Sequence, residues 1–325
     1  MEWQDFFLAA TTTLGFITIC KSLIHFLNYI WVMFLRPSKN LKQYGSWVII
    51  TGSTDGIGKA MAFEFASKGL NILLVGRNPL KLESTSKEII DKHFGNVEVK
   101  CVVLDLRKNC GEEIMKKLED AIYGLDVGIL VNCAGMAYPY ARYFHEVDLD
   151  LMNSIIKVNV EGLTWVTKAV IPSMIKKKKG AIINIGSGSN AVLPSYPLVT
   201  LYAASKAYLT MFSASINLEY KKQGIDIQCQ VPLAVSTKMT RTKESLFVPS
   251  PYAYSQACTR WIGYEKLVVP FFLHSLQSYF VMAIPDVFLD YYTLHNFLYW
   301  RKRGLIKDSQ TKGLQASTSQ FNQQS

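Results

Sequence analysis

No two cysteines in this 325-residue chain are spaced as CxxC, and it contains no Asn-x-Ser/Thr acceptor. The first absence removes the zinc-ribbon and thioredoxin-type motifs. The six cysteines, at 20, 101, 110, 133, 229 and 258, are also too scattered for the framework of a small secreted domain. They read as reduced thiols in a chain whose bulk faces the cytosol, and the missing glycosylation acceptor agrees with that reading. There is no internal repeat, and no cluster with metal-ligand spacing, so no metal is expected. The lysine run Lys176 to Lys179 lacks interleaved aromatics and reads as a solvated helix end rather than a nucleic-acid site. The excess of 35 basic over 25 acidic residues, a net charge of +10, is left to suit an anionic membrane surface or an acidic substrate.

One thing the chain does have is a long apolar run. Phe6 to Leu35 is apolar or small almost throughout, with Lys21 and His25 as its strongly polar interruptions. That exceeds the roughly 20 residues needed to span a bilayer. Glu2 and Asp5 precede it and Trp31, Phe34 and Arg36 close it, which suits an uncleaved anchor over residues 1–36 better than a cleaved signal peptide. Arg36, Lys39 and Lys42 follow, so the remainder is expected on the cytosolic side. Lys21 leaves a tilted span or a re-entrant hairpin open.

From residue 45 to 240 the pattern alternates. Strands are expected at 47–51, 71–76, 97–104, 127–132, 181–186 and 226–231, and helices at 57–68, 79–93, 112–123, within 149–176, and at 200–222. Asn78 followed by Pro79 marks one helix start, and Gly69 one helix end. Short links between such elements predict an α/β, Rossmann-like doubly wound parallel sheet. Beyond 240 the rhythm is lost. Residues 241–300 are rich in aromatics and proline and read either as a cap over an apolar pocket or as a second membrane contact, while 301–325 is basic, then Gln/Ser-rich, and expected to be disordered.

The stretch VIITGSTDGIGKA places Gly52, Gly56 and Gly58 between a strand and a helix. Glycines there allow a tight turn and close approach of backbone amides to a pyrophosphate, with the helix N-terminus directed at the same anion. The loop from Gly52 through Ser53, Asp55, Gly56, Ile57 and Gly58 is therefore the expected phosphate cradle. Between Phe65 and Leu82 there is no acid to meet a ribose 2′-hydroxyl; LLVGR instead ends on Arg77, whose guanidinium suits a 2′-phosphate. The cofactor expected is NADPH/NADP+.

LYAASKAY carries Tyr202 and, four residues on, Lys206, so phenol and ammonium share a helix face. A cation at that spacing favours the phenolate and so equips the tyrosine for proton transfer. Just upstream, INIGSGS ends a strand with Ser187 and Ser189. With LVNCAG (Leu130 to Gly135) and KVNVEG (Lys157 to Gly162), these strings resemble the short-chain dehydrogenase/reductase family. The resemblance implies Tyr202 as catalytic acid, Lys206 as its activator and holder of the nicotinamide ribose, and Asn159 as support for a proton relay. It further implies Asp105 at the adenine, Asn132, Ala134 and Gly135 beside the cofactor, and Thr237 at the nicotinamide amide. Counting thirteen residues back from Tyr202 reaches Ser189, whereas the strand end selects Ser187; Ser187 is preferred, with Ser189 as the alternative. Pro232-Leu233 stands where the family usually has Pro-Gly.

The anchor together with FLRPSKNLKQYGSW, GSTDGIGKA, AYPYARYFHEVD, PSYP and EYKKQGIDIQCQVPL most resembles the very-long-chain 3-oxoacyl-CoA reductases of microsomal fatty-acid elongation, above all those of plants. That resemblance implies NADPH-dependent reduction of a long 3-oxoacyl-CoA at the endoplasmic reticulum membrane, beside a condensing enzyme, a dehydratase and an enoyl reductase. The related 17β-hydroxysteroid dehydrogenases are one alternative. A noncatalytic NADPH-binding elongase scaffold is another, although a scaffold needs no proton-relay set.

Overall fold

The computed structural model of the chain describes residues 2–322 and divides into two compact units, Met1–Ser38 and Lys39–Ser325. In the first unit the apolar run forms helix α1 (Glu2–Ile30), which continues as a π-helical turn over Trp31–Leu35. The resulting 34-residue helix has a mean hydropathy of 1.6 in its apolar window and none of that window is buried, which fits a lipid-facing anchor rather than a core helix. It is one continuous helix and not a hairpin.

The second unit runs β1 (Trp47–Thr51), α2 (Gly56–Ser67), β2 (Asn71–Gly76), α3 (Pro79–Lys92), β3 (Val99–Val103), α4 (Gly111–Ile122), β4 (Val127–Asn132), α5 (Leu149–Ile156), α6 (Leu163–Lys177), β5 (Gly180–Ile185), α7 (Gly188–Ala191), α8 (Thr200–Tyr220), β6 (Ile225–Gln230), α9 (Pro251–Arg260), β7 (Leu267–Val268), α10 (Phe272–Met282) and α11 (Asp286–Asn322). Local chemistry sets several starts. The Asn78 side chain accepts from Lys81 N–H ahead of Pro79, and Ser250 accepts from Ala253 N–H ahead of Pro251.

The strands pair in the order β3-β2-β1-β4-β5-β6-β7, every pair parallel. Strand order reverses between β1 and β4, so the loops leaving these neighbours diverge and open a crevice at their C-terminal ends. Side chains alternate between two cores. Val48, Ile50, Leu74 and Val131 face α2, α3 and α9 through Phe65, Leu82 and Tyr254, while Ile49, Leu73, Leu130 and Ile182 face α4, α6 and α8 through Leu118, Val170 and Ile216.

Four features differ from the sequence expectation. β7 adds a strand where the sheet rhythm is lost, because two residues suffice to pair with Cys229 and Gln230 at the edge. The long helical segment is interrupted by a π-helical turn at Lys157–Gly162, which carries Asn159 inward. Lys176, Lys178 and Lys179 are solvated as expected, but Lys177 is only half-exposed, its ammonium donating to Asp126 Oδ1 at 2.6 Å and to the Val127 carbonyl at 2.7 Å. The expected disordered tail is helical through Asn322, its first turn held by an Arg301–Glu146 ion pair and by Gly304, which has room only for hydrogen against Tyr140; residues 323–325 lie outside the described residues.

Phe65 is 0% exposed and joins α2 to the layer that includes α9, whereas Phe94 is 90% exposed. Phe65→Ala is expected to lower unfolding free energy by about 3–5 kcal/mol and Phe94→Ala by less than about 0.5 kcal/mol, read from denaturant midpoints in mild detergent. Equal midpoints for the two variants would contradict this packing.

Candidate active site

At the crevice, the hydroxyl of Thr51, the last residue of β1, accepts from both Cys133 and Ala134 N–H at 3.1 Å. That ties the exits of β1 and β4 side by side. Gly52 then turns at φ +68°, and a Cβ there would stand 2.9 Å from Ala134 Cα. A Cβ on Gly58 would lie 2.9 Å from the Gly52 carbonyl carbon and closer still to its oxygen. The loop thus folds flat against the start of α2. Its backbone floors a cleft of ≈ 440 Å³ that also takes in Arg77, Asp105, Gly135, Ser187, Tyr202 and Lys206.

A dinucleotide fits this cleft on its own geometry. Glycine backbone and the α2 N-terminus meet at one end, exposed Arg77 stands at the end of β2, and Asp105 leaves β3 in the same wall. Asp55 caps α2 through Gly56 N–H at 2.8 Å and pairs with Lys238 at 2.7 Å. Burial alone would raise its carboxyl, but Lys238 and the Gly56 amide together hold it below the ordinary aspartate range. Ile57, Ala134 and Thr237 line the cleft as well.

The reacting end is built from β5 and α8. Lys206 is buried, and its ammonium donates to the Ile185 carbonyl at 2.8 Å while standing 5.9 Å from the Tyr202 ring centroid. Ser187 lines the same space and caps α7, accepting from Ser189 N–H at 3.1 Å. Ser189 is buried behind it and is not among the residues that line the cleft. Cys133, beside the glycine loop, is no competing nucleophile: burial pushes its thiol up to about 11 despite the charge of Lys206.

Three side chains expected at the cofactor or relay do not themselves line the cleft. Ser53 is buried and donates to the Val75 carbonyl at 3.3 Å, locking the loop to β2. Asn132 donates to Asn184 at 2.8 Å and to Thr167 at 3.1 Å, because the end of β4 points it into the sheet rather than the cleft. Asn159 accepts from Met136 N–H at 2.7 Å and donates to the Met136 carbonyl and Ser205 hydroxyl, both at 2.9 Å. Its side chain is fully engaged in fixing the β4 exit loop to α8.

Lys238 and His274 escaped sequence reading. An exposed lysine after β6 carries no local signal, and His274 stood out only as a polar interruption of an apolar run. Yet His274 is 0% exposed. Its Nδ1 accepts from Leu233 N–H at 3.3 Å, which leaves Nε2–H to donate to the carbonyls of Ala234 at 3.0 Å and Phe247 at 3.2 Å. It therefore holds the loop carrying Thr237 and Lys238 over the cleft. Burial lowers its imidazole value against the two carbonyls that pull it up. The unfolded chain then takes up the proton first, so the stability His274 contributes is complete above about pH 6.5 and declines as pH falls below it. We expect His274→Gln to flatten the loss of stability between about pH 7 and pH 5.5 and to weaken NADPH binding roughly fivefold, measured by denaturation and by cofactor titration. An unaltered pH slope together with unaltered affinity would contradict the clamp.

Residues 46–246 match the short chain dehydrogenase family. The chain is 44% identical to a very-long-chain 3-oxoacyl-CoA reductase-like protein of Arabidopsis thaliana over 299 residues, covering 90% of this chain and 95% of the relative. It is 36% identical to the human very-long-chain 3-oxoacyl-CoA reductase over 74% of this chain and 76% of that one, and 40% identical to the human inactive hydroxysteroid dehydrogenase-like protein 1 over 76% and 74%. Among solved structures, a short-chain dehydrogenase from Sphingobium yanoikuyae in complex with NADPH superposes with TM-score 0.60 at 26% identity, covering 74% of this chain and 96% of that one. The family and such neighbours support NADP(H) as the cofactor of the cleft. With residues 46–246, more than half of the chain, matched by the family and relatives this similar, the chain belongs to the short-chain dehydrogenase family.

Proposed function

We propose that the protein is an NADPH-dependent very-long-chain 3-oxoacyl-CoA reductase, forming the 3-hydroxyacyl-CoA in fatty-acid elongation. The observation that carries this reading is the 44% identity spanning 90% of the chain to a very-long-chain 3-oxoacyl-CoA reductase-like protein, on a chain that keeps Ser187, Tyr202 and Lys206 around one cleft. Bound NADPH would supply the hydride. Ser187 and the Tyr202 hydroxyl donate hydrogen bonds to the substrate carbonyl oxygen, and Tyr202 gives that oxygen its proton. Lys206, buried and directed at the cleft, offsets the charge left on the phenolate, while Asn159 keeps α8 and the β4 exit in register. Arg77 takes the 2′-phosphate and the Gly52–Gly58 loop the pyrophosphate.

The anchor belongs, on this reading, in the endoplasmic reticulum membrane, with the catalytic unit in the cytosol behind Arg36, Lys39 and Lys42. Its neighbours there are the condensing enzyme, dehydratase and enoyl reductase that share its acyl-CoA intermediates. The excess positive charge suits the polyanionic CoA head. A relative named inactive favours a second reading, an NADPH-binding scaffold without turnover. Tyr202 beside Lys206 argues against it, since a scaffold has no use for a proton donor.

NADPH oxidation by the detergent-solubilised chain, offered a long 3-oxoacyl-CoA and separately a 17-oxosteroid, separates these readings. Selective acyl-CoA turnover is expected. Steroid turnover alone would make it a hydroxysteroid dehydrogenase, and NADPH binding without any turnover would make it a scaffold. Tyr202→Phe should keep NADPH affinity and lose roughly 10²–10⁴-fold in turnover, and full turnover in that variant would overturn the assigned acid. Arg77→Ala should raise the NADPH dissociation constant about 10–100-fold and leave that of NADH nearly unchanged, the difference expected of a charge-assisted contact to the 2′-phosphate alone.

A further inference from the structure

Helix α11 has two dissimilar faces. Leu289, Thr293, Phe297 and Arg301, four residues apart, point into the catalytic unit: the first two are buried, Phe297 meets Tyr196 edge-on with ring centroids 4.6 Å apart, and Arg301 pairs with Glu146. The other face is bare. Val287, Phe288, Tyr291 and Tyr292 are each at least 66% exposed. α10 repeats the arrangement, burying His274 and Ser278 while Tyr279, Phe280 and Met282 stay at least 60% exposed. The helices meet at a bend of 117° beside Pro285, so the bare side chains of both flank one elbow. The apolar surface continues onto exposed Leu246 and Phe247, whose loop is tied to α10 through His274.

We propose that the α10–α11 elbow docks into the interfacial plane of a lipid bilayer, a membrane contact additional to the N-terminal helix. Its composition selects lipid over protein. Tyr279, Tyr291, Tyr292, Tyr299 and Trp300 accompany the apolar residues, and amphipathic rings of this kind settle at headgroup depth. Exposed Lys302 and Arg303 follow at once and complement anionic headgroups. Depth is set by the exposed Asp286 at the apex. A carboxylate there, next to a helix-breaking proline, suits the interface and opposes a crossing.

The inward face of α11 packs in the same cluster as Tyr202, with Phe297 and Leu298 against Leu198 and Val199. Docking therefore brings the reacting end of the cleft beside the bilayer, so that an apolar substrate enters from lipid; this consequence rests on the acyl-CoA reading.

The test uses the full chain in phosphatidylcholine–phosphatidylserine vesicles. A nitroxide is placed by Phe288→Cys or Tyr291→Cys, and by Phe94→Cys as the aqueous reference, with Cys20, Cys101 and Cys110 changed to serine and the parent signal subtracted. We expect oxygen to relax the 288 and 291 labels more than a water-soluble nickel chelate does, and the reverse order at 94. Chelate access at 288 and 291 equal to that at 94 would overturn the proposal, as would exclusion of both relaxants, which would mean that protein covers the surface. Turnover on the same vesicles separates the two readings. Docked labels on a chain that reduces no acyl-CoA leave docking standing and sink the substrate reading. With both intact, Phe288→Asp combined with Tyr291→Asp should raise KM for a long-chain substrate and leave kcat on a short, soluble 3-oxoacyl thioester unchanged.

Discussion

The contact between the start of α2 and the carbonyl of Gly52 is the constraint on which the cleft depends. Only hydrogen fits on Gly58 at that distance, and only hydrogen fits on Gly52 where it passes Ala134. Relieving either contact would move α2 away from the ends of β1 and β4, and with it the amides and helix dipole that face an anion. The Thr51 hydroxyl completes the arrangement by accepting from two successive amides of the β4 exit. One hydroxyl thereby fixes where Ala134, Gly135 and Met136 stand.

A buried ammonium must be compensated, and Lys206 shows how the sheet meets that demand. The Ile185 carbonyl accepts one hydrogen bond from it, leaving the ammonium on the cleft side beside the Tyr202 ring. α8 is held in place to serve this geometry by polar bonds beneath it: Asn184 donates to Ser213 at 2.8 Å, Asn132 donates to Asn184, and Asn159 donates to Ser205. These amides sit behind the reacting groups rather than among them. Their chemistry is positional, and the π-helical turn at Lys157–Gly162 is the local device that brings Asn159 within reach of both Met136 and α8.

Elements with local periodicity were legible in the sequence. Trp47 to Thr51, with β-branched residues at its centre, followed by Gly52, announced a strand and a turn, and the four-residue step from Tyr202 to Lys206 announced a shared helix face. The fold class, the crevice and the pairing of phenol with ammonium follow from those. The destination of a short polar side chain at a strand end was not legible, because Ser53 and Asn132 turn toward the sheet by a rotation that no spacing encodes. Long-range partners were hidden for the same reason. Nothing local ties Lys238 to Asp55 or His274 to Leu233, and Arg301 meets Glu146 only because tertiary packing overrides a polar, low-complexity composition.

Leucine in place of the family's glycine at 233 shows where substrate and cofactor handling become linked. The Leu233 side chain covers Gly188, which has no room for a Cβ beneath it, and the Leu233 amide is held by His274. The loop carrying Thr237 and Lys238 is therefore anchored on α10, the helix whose opposite face is bare and aromatic. Ser187, just past the end of β5, and Tyr202 and Lys206, on α8, do not by themselves distinguish a steroid from an acyl chain. The distinction falls to what lies over the reacting end, namely α10, α11 and the 233–247 loop. The elbow is joined through His274 to the Leu233 amide and through Phe297 to the cluster containing Tyr202. The segment with the weakest sequence pattern in the catalytic unit is thus the one placed to decide which ketone the cleft receives.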